Sequence, residues 1–260
     1  NGTSGIETQS FVDAVYANTI LDDLGVTRVS TTTDQRIPIL GAVSTQWETE
    51  VSDAIDGGSA MSKKDLAPKR LASYVDFSKQ AAMQHNESIE SALRNSIAQA
   101  VGAKVEYALF TDDSGNGAYN YLGQGKTPVT NANITSLMMA LVEEVQSNNH
   151  NRGNLGFAIS NDLFSDVYTA AQVSGVNPLI INEAIMGVKA MFSNQIADIA
   201  SKPVVYYGDF SKVQIAQFGA LELLVDPYTQ AIKGTNRLIL NSYWDAALVQ
   251  DAAISVGNFG

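Results

Sequence analysis

The chain has no cysteine, and its 260 residues include only two histidines, six prolines and two tryptophans. Without cysteine there is no disulfide, no thiolate metal site and no cysteine nucleophile. His85 and His150 lie far apart, and neither stands in a metal-ligand pattern such as HExxH. Both read as solvated or capping residues. A Ser-His-Asp triad needs a positioned histidine, and no GxSxG elbow is present. Positive charge is scarce too: Lys and Arg number 16 against 27 Asp and Glu, for a net charge of -11. Phosphate affinity is carried by Lys and Arg, so this chain is a poor candidate for strong sequence-independent DNA binding. Long apolar runs are missing as well. Nothing approaches the roughly 20 residues that span a bilayer as a helix, and no signal peptide is visible.

What is present is globular in character, with 45% apolar and 17% charged residues. A chain of this length buries a sizeable core in one large domain or two modest ones. The carboxylate pairs Asp22-Asp23, Asp112-Asp113 and Glu143-Glu144 are adjacent in sequence. Neighbours do not share a face of a helix or strand, so these are poor acid/base dyads. Asp112, Ser114, Asn116 and Gly117 match the start of a calcium loop, but position twelve is Gly123 rather than the bidentate Glu. A turn is the stronger reading. Gly115-x-Gly117 and Gly123-x-Gly125-Lys126-Thr127 lack the spacing of a dinucleotide fingerprint or a P-loop. No catalytic residue, cofactor or metal is expected.

The elements read as follows. Residues 1–36 are polar, with one short amphipathic helix around Phe11 to Leu24 that Gly25 ends. Arg36 to Leu40 reads as a short strand with Pro38 at an edge. Residues 47–58 carry Glu48, Glu50, Asp53 and Asp56 and no base. Gly57-Gly58 offers a turn, and residues 62–79 carry Lys63, Lys64, Lys69, Arg70 and Lys79. Limbs of opposite sign can pair with each other or with neighbours, so a projecting hairpin is expected here. From Asn86 to Phe110, Ile89, Leu93, Ile97, Val101, Val105 and Leu109 recur every four residues, with Ala92, Ala100 and Ala108 beside them. This predicts one long helix with Asn86 as N-cap. About 24 residues would span about 36 Å. Asn133 to Gln146 is a second amphipathic helix, with Ile134, Leu137, Met138, Leu141, Val142 and Val145 inward. A short strand is expected at 156–160, with a helix from Asn161 or Asp162 through Val173, and residues 187–191 and 203–207 bracket another short unit. From Val213 the pattern is strand-like: 213–216, 221–225, 237–244 and 247–249. Helices early and strands late give an α+β class.

This order resembles the major capsid proteins of tailed bacteriophages, with the Hong Kong 97-type fold. The resemblance is carried by the Ile37-Pro38-Ile39 strand, the charged loop, the long helix and the turn Gly123-Gln124-Gly125-Lys126-Thr127-Pro128. Gly208-Asp209-Phe210 and the late strands complete it. It implies an N-terminal arm at 1–36 and an extended loop at 45–80. A peripheral domain would take 37–44, 81–130 and 205–245, including a spine helix at 86–110. An axial domain would take 131–204 and 246–260. The implied function is shell building, as pentamers and hexamers enclosing a double-stranded DNA genome. The alternative is an encapsulin-like bacterial compartment shell. The implied partners are further copies of the chain, a portal, and a decoration or cement protein. DNA would be met only weakly, and no membrane is involved. The expected place is the virion, assembled in the bacterial host cytoplasm. Lys63, Lys64, Lys69 and Arg70 would meet Glu48 or Glu50 of a neighbouring loop. The chain opens on Asn1 rather than Met, which is taken as processing or trimming and fits removal of a scaffold segment. Some members cross-link a loop Lys to an Asn, assisted by a Glu. Lys63 or Lys64 and Asn236 stand at comparable places, but Tyr243 falls where the acid would be, so non-covalent assembly is expected.

Overall fold

The computed structural model describes residues 19–40, 45–50, 53, 56, 58, 61–80, 87–150, 153–170, 180–181 and 184–260. His85, the expected N-cap Asn86 and the start of the first amphipathic helix lie outside them.

The long helix, here α2, spans Glu87–Phe110, 24 residues, after a one-turn helix α1 at Leu21–Leu24. Of its apolar stripe, Ile97, Val101, Val105 and Leu109 are buried and Leu93 is half-buried. Burial grows toward the C-terminal end. Ala98, Gly102, Ala108 and Phe110 are buried too, whereas Ala92 and Ala100 are exposed. The helix ends with its carbonyls satisfied, as a buried terminus requires. Thr111 N–H donates to Tyr107 O at 2.8 Å, Leu122 N–H to Leu109 O at 2.8 Å, and the Tyr206 hydroxyl to Phe110 O at 2.6 Å.

Two large sheets flank this helix end. The first has five strands: β1 (Thr27–Thr31), β4 (Lys69–Ser78), β11 (Val213–Phe218), β12 (Glu222–Asp226) and β13 (Thr235–Leu248). β4 runs antiparallel along one edge of β13, while β12 and β11 share the other edge in succession. β1 pairs parallel to β11. The second sheet has seven strands in the order β5-β14-β10-β6-β9-β8-β7. These are β5 (Val129–Asn131), β6 (Leu155–Ser160), β7 (Ile180–Ile181), β8 (Ala184–Ile185), β9 (Val188–Ser193), β10 (Val204–Asp209) and β14 (Ile254–Phe259).

The second sheet is covered on both faces, and its central strand shows why the sequence there is continuously apolar. Along Val204-Val205-Tyr206-Tyr207, alternate side chains enter two different cores. Val204 and Tyr206 join the α2 side, and Val205 and Tyr207 the opposite side. That opposite side is covered by α3 (Ile134–Ser147) and α4 (Phe164–Thr169). Ile134, Leu137, Met138, Leu141 and Val145 of α3 are buried as the period predicts, with Val142 half-buried. Asn133 caps it by accepting from Ser136 N–H at 3.1 Å. The chain crosses from one sheet to the other at Gly208-Asp209-Phe210. Asp209 accepts from Asn154 N–H, Ser211 N–H and the Ser211 hydroxyl, so one carboxylate holds the corner.

Three expectations change. The hairpin is built from β2 (Gln35–Leu40) and β3 (Met61–Leu66), not from an acidic limb paired with a basic one. The rest of the basic limb is β4, which pairs with β13. The strands expected at 237–244 and 247–249 are one strand of 14 residues. Finally, the polar stretch before residue 36 is not all peripheral: Leu21, Leu24 and Val26 are in the core, and β1 is a sheet member. Residues 129–131 and 204–209 join the seven-stranded sheet, and 246–248 the five-stranded one.

Candidate functional site: the hairpin, its base and the acidic limb

β2 and β3 stand out from the body. Their side chains are largely exposed until Leu66, which is buried against Ala216 and Phe218 with Ile37 beside it. Cross-strand charge orders the hairpin: Arg36 donates to Asp65 at 2.9 Å, and Lys63 lies 3.2 Å from the other Asp65 oxygen. Those hydrogen bonds hold the Asp65 carboxyl below its ordinary range.

At the foot of β3 lies a polar cleft of about 160 Å³, lined by Lys64, Lys69, Lys126, Asp65, Asp245 and Asp251 among others. Lys64 bridges to Asp251 at 3.1 Å. Lys126 donates to Ile254 O at 2.8 Å and to Asp251 O, and its burial lowers its pKa. Asp245 accepts from Ala67 N–H at 2.8 Å and Ala246 N–H at 2.9 Å, and burial raises its pKa. The turn between β3 and β4 is therefore tied to β13, and the cleft is filled with charges that answer one another. Lys126 comes from the Gly123-to-Pro128 turn, which places it here.

The residues expected to touch neighbours fall in two groups. Lys63, Lys64, Lys69 and Arg70 all have partners within the chain. Lys69 donates to Ala118 O at 3.3 Å, and Arg70 donates twice to Asn241 Oδ1, at 3.0 and 2.7 Å. Glu48 and Glu50 are not brought to them and are exposed. Glu48 accepts from Gln46, and between them Trp47 is fully exposed. A second opening, of about 90 Å³, lies between α2 and the β4–β13 pair. Lys104, at its rim, bridges Asp113 at 2.6 Å and lies 4.5 Å from the Tyr107 ring centroid. Sequence reasoning passed over Lys104, Lys126, Asp245, Asp251 and Trp47. Only Trp47 carried a signal, as a lone large aromatic among acids.

The calcium-like loop satisfies itself. Asp112 accepts from Ser114 N–H and its hydroxyl, and Asp113 from Asn116 and Lys104. Among the described residues no group of three or more His, Asp or Glu could hold a metal ion. No helix of the described residues is long and apolar enough to cross a membrane.

The molecule is thus an α+β subunit in which a long helix lies between two sheets and the side chains of a charged hairpin are largely exposed. The fold matches the capsid of an empty GTA particle computed with C5 symmetry, with a TM-score of 0.71 at 17% identity, over 94% of this chain and 90% of that one. It matches a structure from Gordonia phage Cozz with a TM-score of 0.66 at 15% identity, over 93% and 86%. A structure from Mycobacterium phage Ogopogo gives 0.69 at 12% identity, over 93% and 92%. No curated protein matches the sequence. The family model described as the phage capsid family matches residues 8–259, and the chain belongs to that family. The Hong Kong 97-type α+β expectation holds. The protein is a structural capsid protein of the head shell, not an enzyme, and its place is the virion. The bacterial compartment reading is not favoured by these relatives.

Proposed function

We propose that the subunit assembles as pentamers and hexamers into an icosahedral shell around double-stranded DNA, in the cytoplasm of a bacterial host. The five-stranded sheet with α2 serves as the peripheral domain, and the seven-stranded sheet with α3 and α4 as the axial domain. A portal and a decoration or cement protein complete the partners. The observation that carries this reading is the exposed β2–β3 hairpin and the exposed acidic stretch at 45–50 beside a packed core. Such a segment finds little to bury on its own subunit. Lys63, Lys64, Lys69 and Arg70 then serve partly as in-chain ties and partly as contacts for Glu48 and Glu50 of a neighbour. Exposed pairs contribute only about 0–1 kcal/mol each, so their role is register more than strength. With a net charge of -11 the packaged DNA is enclosed rather than gripped.

The contacts are non-covalent. Lys63 and Lys64 are engaged by Asp65 and Asp251, and Asn236 sits in β13 opposite Phe77. The test is negative-stain microscopy with light scattering on the expressed protein. Closed shells tens of nanometres across that contain DNA and run as single chains on a denaturing gel are expected. Small oligomers only, from every form of the chain, would overturn the reading.

A further inference from the structure

We propose that Trp47 of one copy anchors the contact between neighbours by seating in the opening between α2 and the β4–β13 pair of a second copy. This rests on the shell reading above and names a contact that reading leaves general. Trp47 is fully exposed on its own chain. A tryptophan carries a large apolar area and is among the residues that dominate interfaces. Glu48 and Glu50 follow it closely, and residues 45–58 hold no base at all.

The opening on the body has the complementary make-up. Its floor includes Val105, Ala108 and Trp244, all buried. Its rim has Lys69, Arg70 and Lys104 against the single carboxylate of Asp113. At about 90 Å³ it exceeds several-fold the roughly 10–15 Å³ that one water needs. An apolar floor with a basic rim suits an aromatic ring followed by two glutamates. The larger cleft at the hairpin foot has no basic excess to offer, because its Lys64, Lys69 and Lys126 are answered by Asp65, Asp245 and Asp251.

The two tryptophans of the chain make the test direct. Trp244 is buried in the subunit itself, whereas Trp47 is expected to emit like a solvated indole before assembly and to shift to the blue in shells. The chain has no cysteine, so Gln46→Cys combined with Asn116→Cys reports the contact alone; Asn116 lines the opening. Oxidised shells of the double variant are expected to give a ladder of joined chains, and either single variant none. Arg70→Glu is expected to raise the critical concentration for assembly by about tenfold or more, with Glu50→Lys restoring it. Wild-type shells with no shift, or a shift without a ladder, would overturn this contact and leave the shell reading standing. A wild type that never forms shells would remove both.

Discussion

Three buried carboxylates each hold a joint between distant parts of the chain. Asp209 receives Asn154 N–H, Asp245 receives Ala67 N–H, and Glu106 receives Ile20 N–H at 3.0 Å. Glu106 is only 2% exposed and accepts the Ser193 hydroxyl as well, so it fastens the start of α1 and the end of β9 to α2. Burial outweighs those two donors and raises its pKa above the ordinary 4.5. The sign follows from linkage. The folded form prefers a protonated Glu106, so that contribution to stability is fully present below pH 4.5 and is lost as pH rises through the raised value. Asp245 is shifted in the same direction from 3.8 and adds to the trend. Glu106→Gln keeps an acceptor for Ile20 and a donor for Ser193 without charge. Its melting temperature relative to wild type is expected to rise as pH climbs from about 4.5 through the raised value, and then to level off. A difference that stays flat across that range would show that burial of charge at 106 costs nothing. Glu106→Ala would orphan two donors and cost about 1–3 kcal/mol in a urea titration.

At the scale of elements, packing of β10 against β14 depends on a missing side chain. Gly208 has φ +154°, and a Cβ there would lie 2.1 Å from Ala253 O and 2.7 Å from Ile254 Cα. Backbone cannot retreat from such an overlap as a side-chain end can. Gly208→Ala is therefore expected to lose more than about 3 kcal/mol and to yield insoluble chain. Soluble variant with an unchanged urea midpoint would contradict the closeness of the two strands. Local elements were legible in the sequence because their signals are local. The four-residue stripe gave α2, the 3.6 period and Asn133 gave α3, and apolar runs gave β6 and β11. Pairing was not legible, because alternation marks a strand without naming its partner. The acidic and basic limbs answered each other in sign, yet β4 is hydrogen-bonded to β13 and the Arg237 guanidinium meets Asp76 across that ladder at 2.6 Å. Asp245 looked like a break in β13, whereas it is a buried acceptor within a continuous strand. β1 has an exposed, polar pattern that reads as a loose lead. The candidate contact surface was half legible: the charged residues were found, while the opening that faces Lys104 exists only after α2, β4 and β13 meet.

At the scale of the molecule, the net charge of -11 acts on every neighbour at once. Like-charged subunits repel over a Debye length, about 30 Å at 0.01 M salt and about 10 Å at 0.1 M. Raising salt from about 0.01 to about 0.15 M is expected to lower the critical concentration for assembly, because long-range repulsion is screened more than close ion pairs. Light scattering across a salt series reads this directly, and a rise in that concentration would show that attraction between charges dominates. The same charge predicts that unassembled protein leaves double-stranded DNA unshifted on a gel at physiological salt.

The placement of β13 has a consequence for synthesis. Its partners are β4, far upstream, and β11, which is itself bonded to β1 near the start of the described chain. Most of the five-stranded sheet must wait until residue 248 has left the ribosome, which at about 5–20 residues per second is tens of seconds after the first residues appear. Pairings this distant also close slowly. Nascent chains are therefore expected to remain incompetent to join a shell until β13 has emerged. Refolding followed through Trp244 should be slow and late, reaching its native signal together with the whole subunit, and a fast early phase there would show that β13 finds its place without β4 and β11.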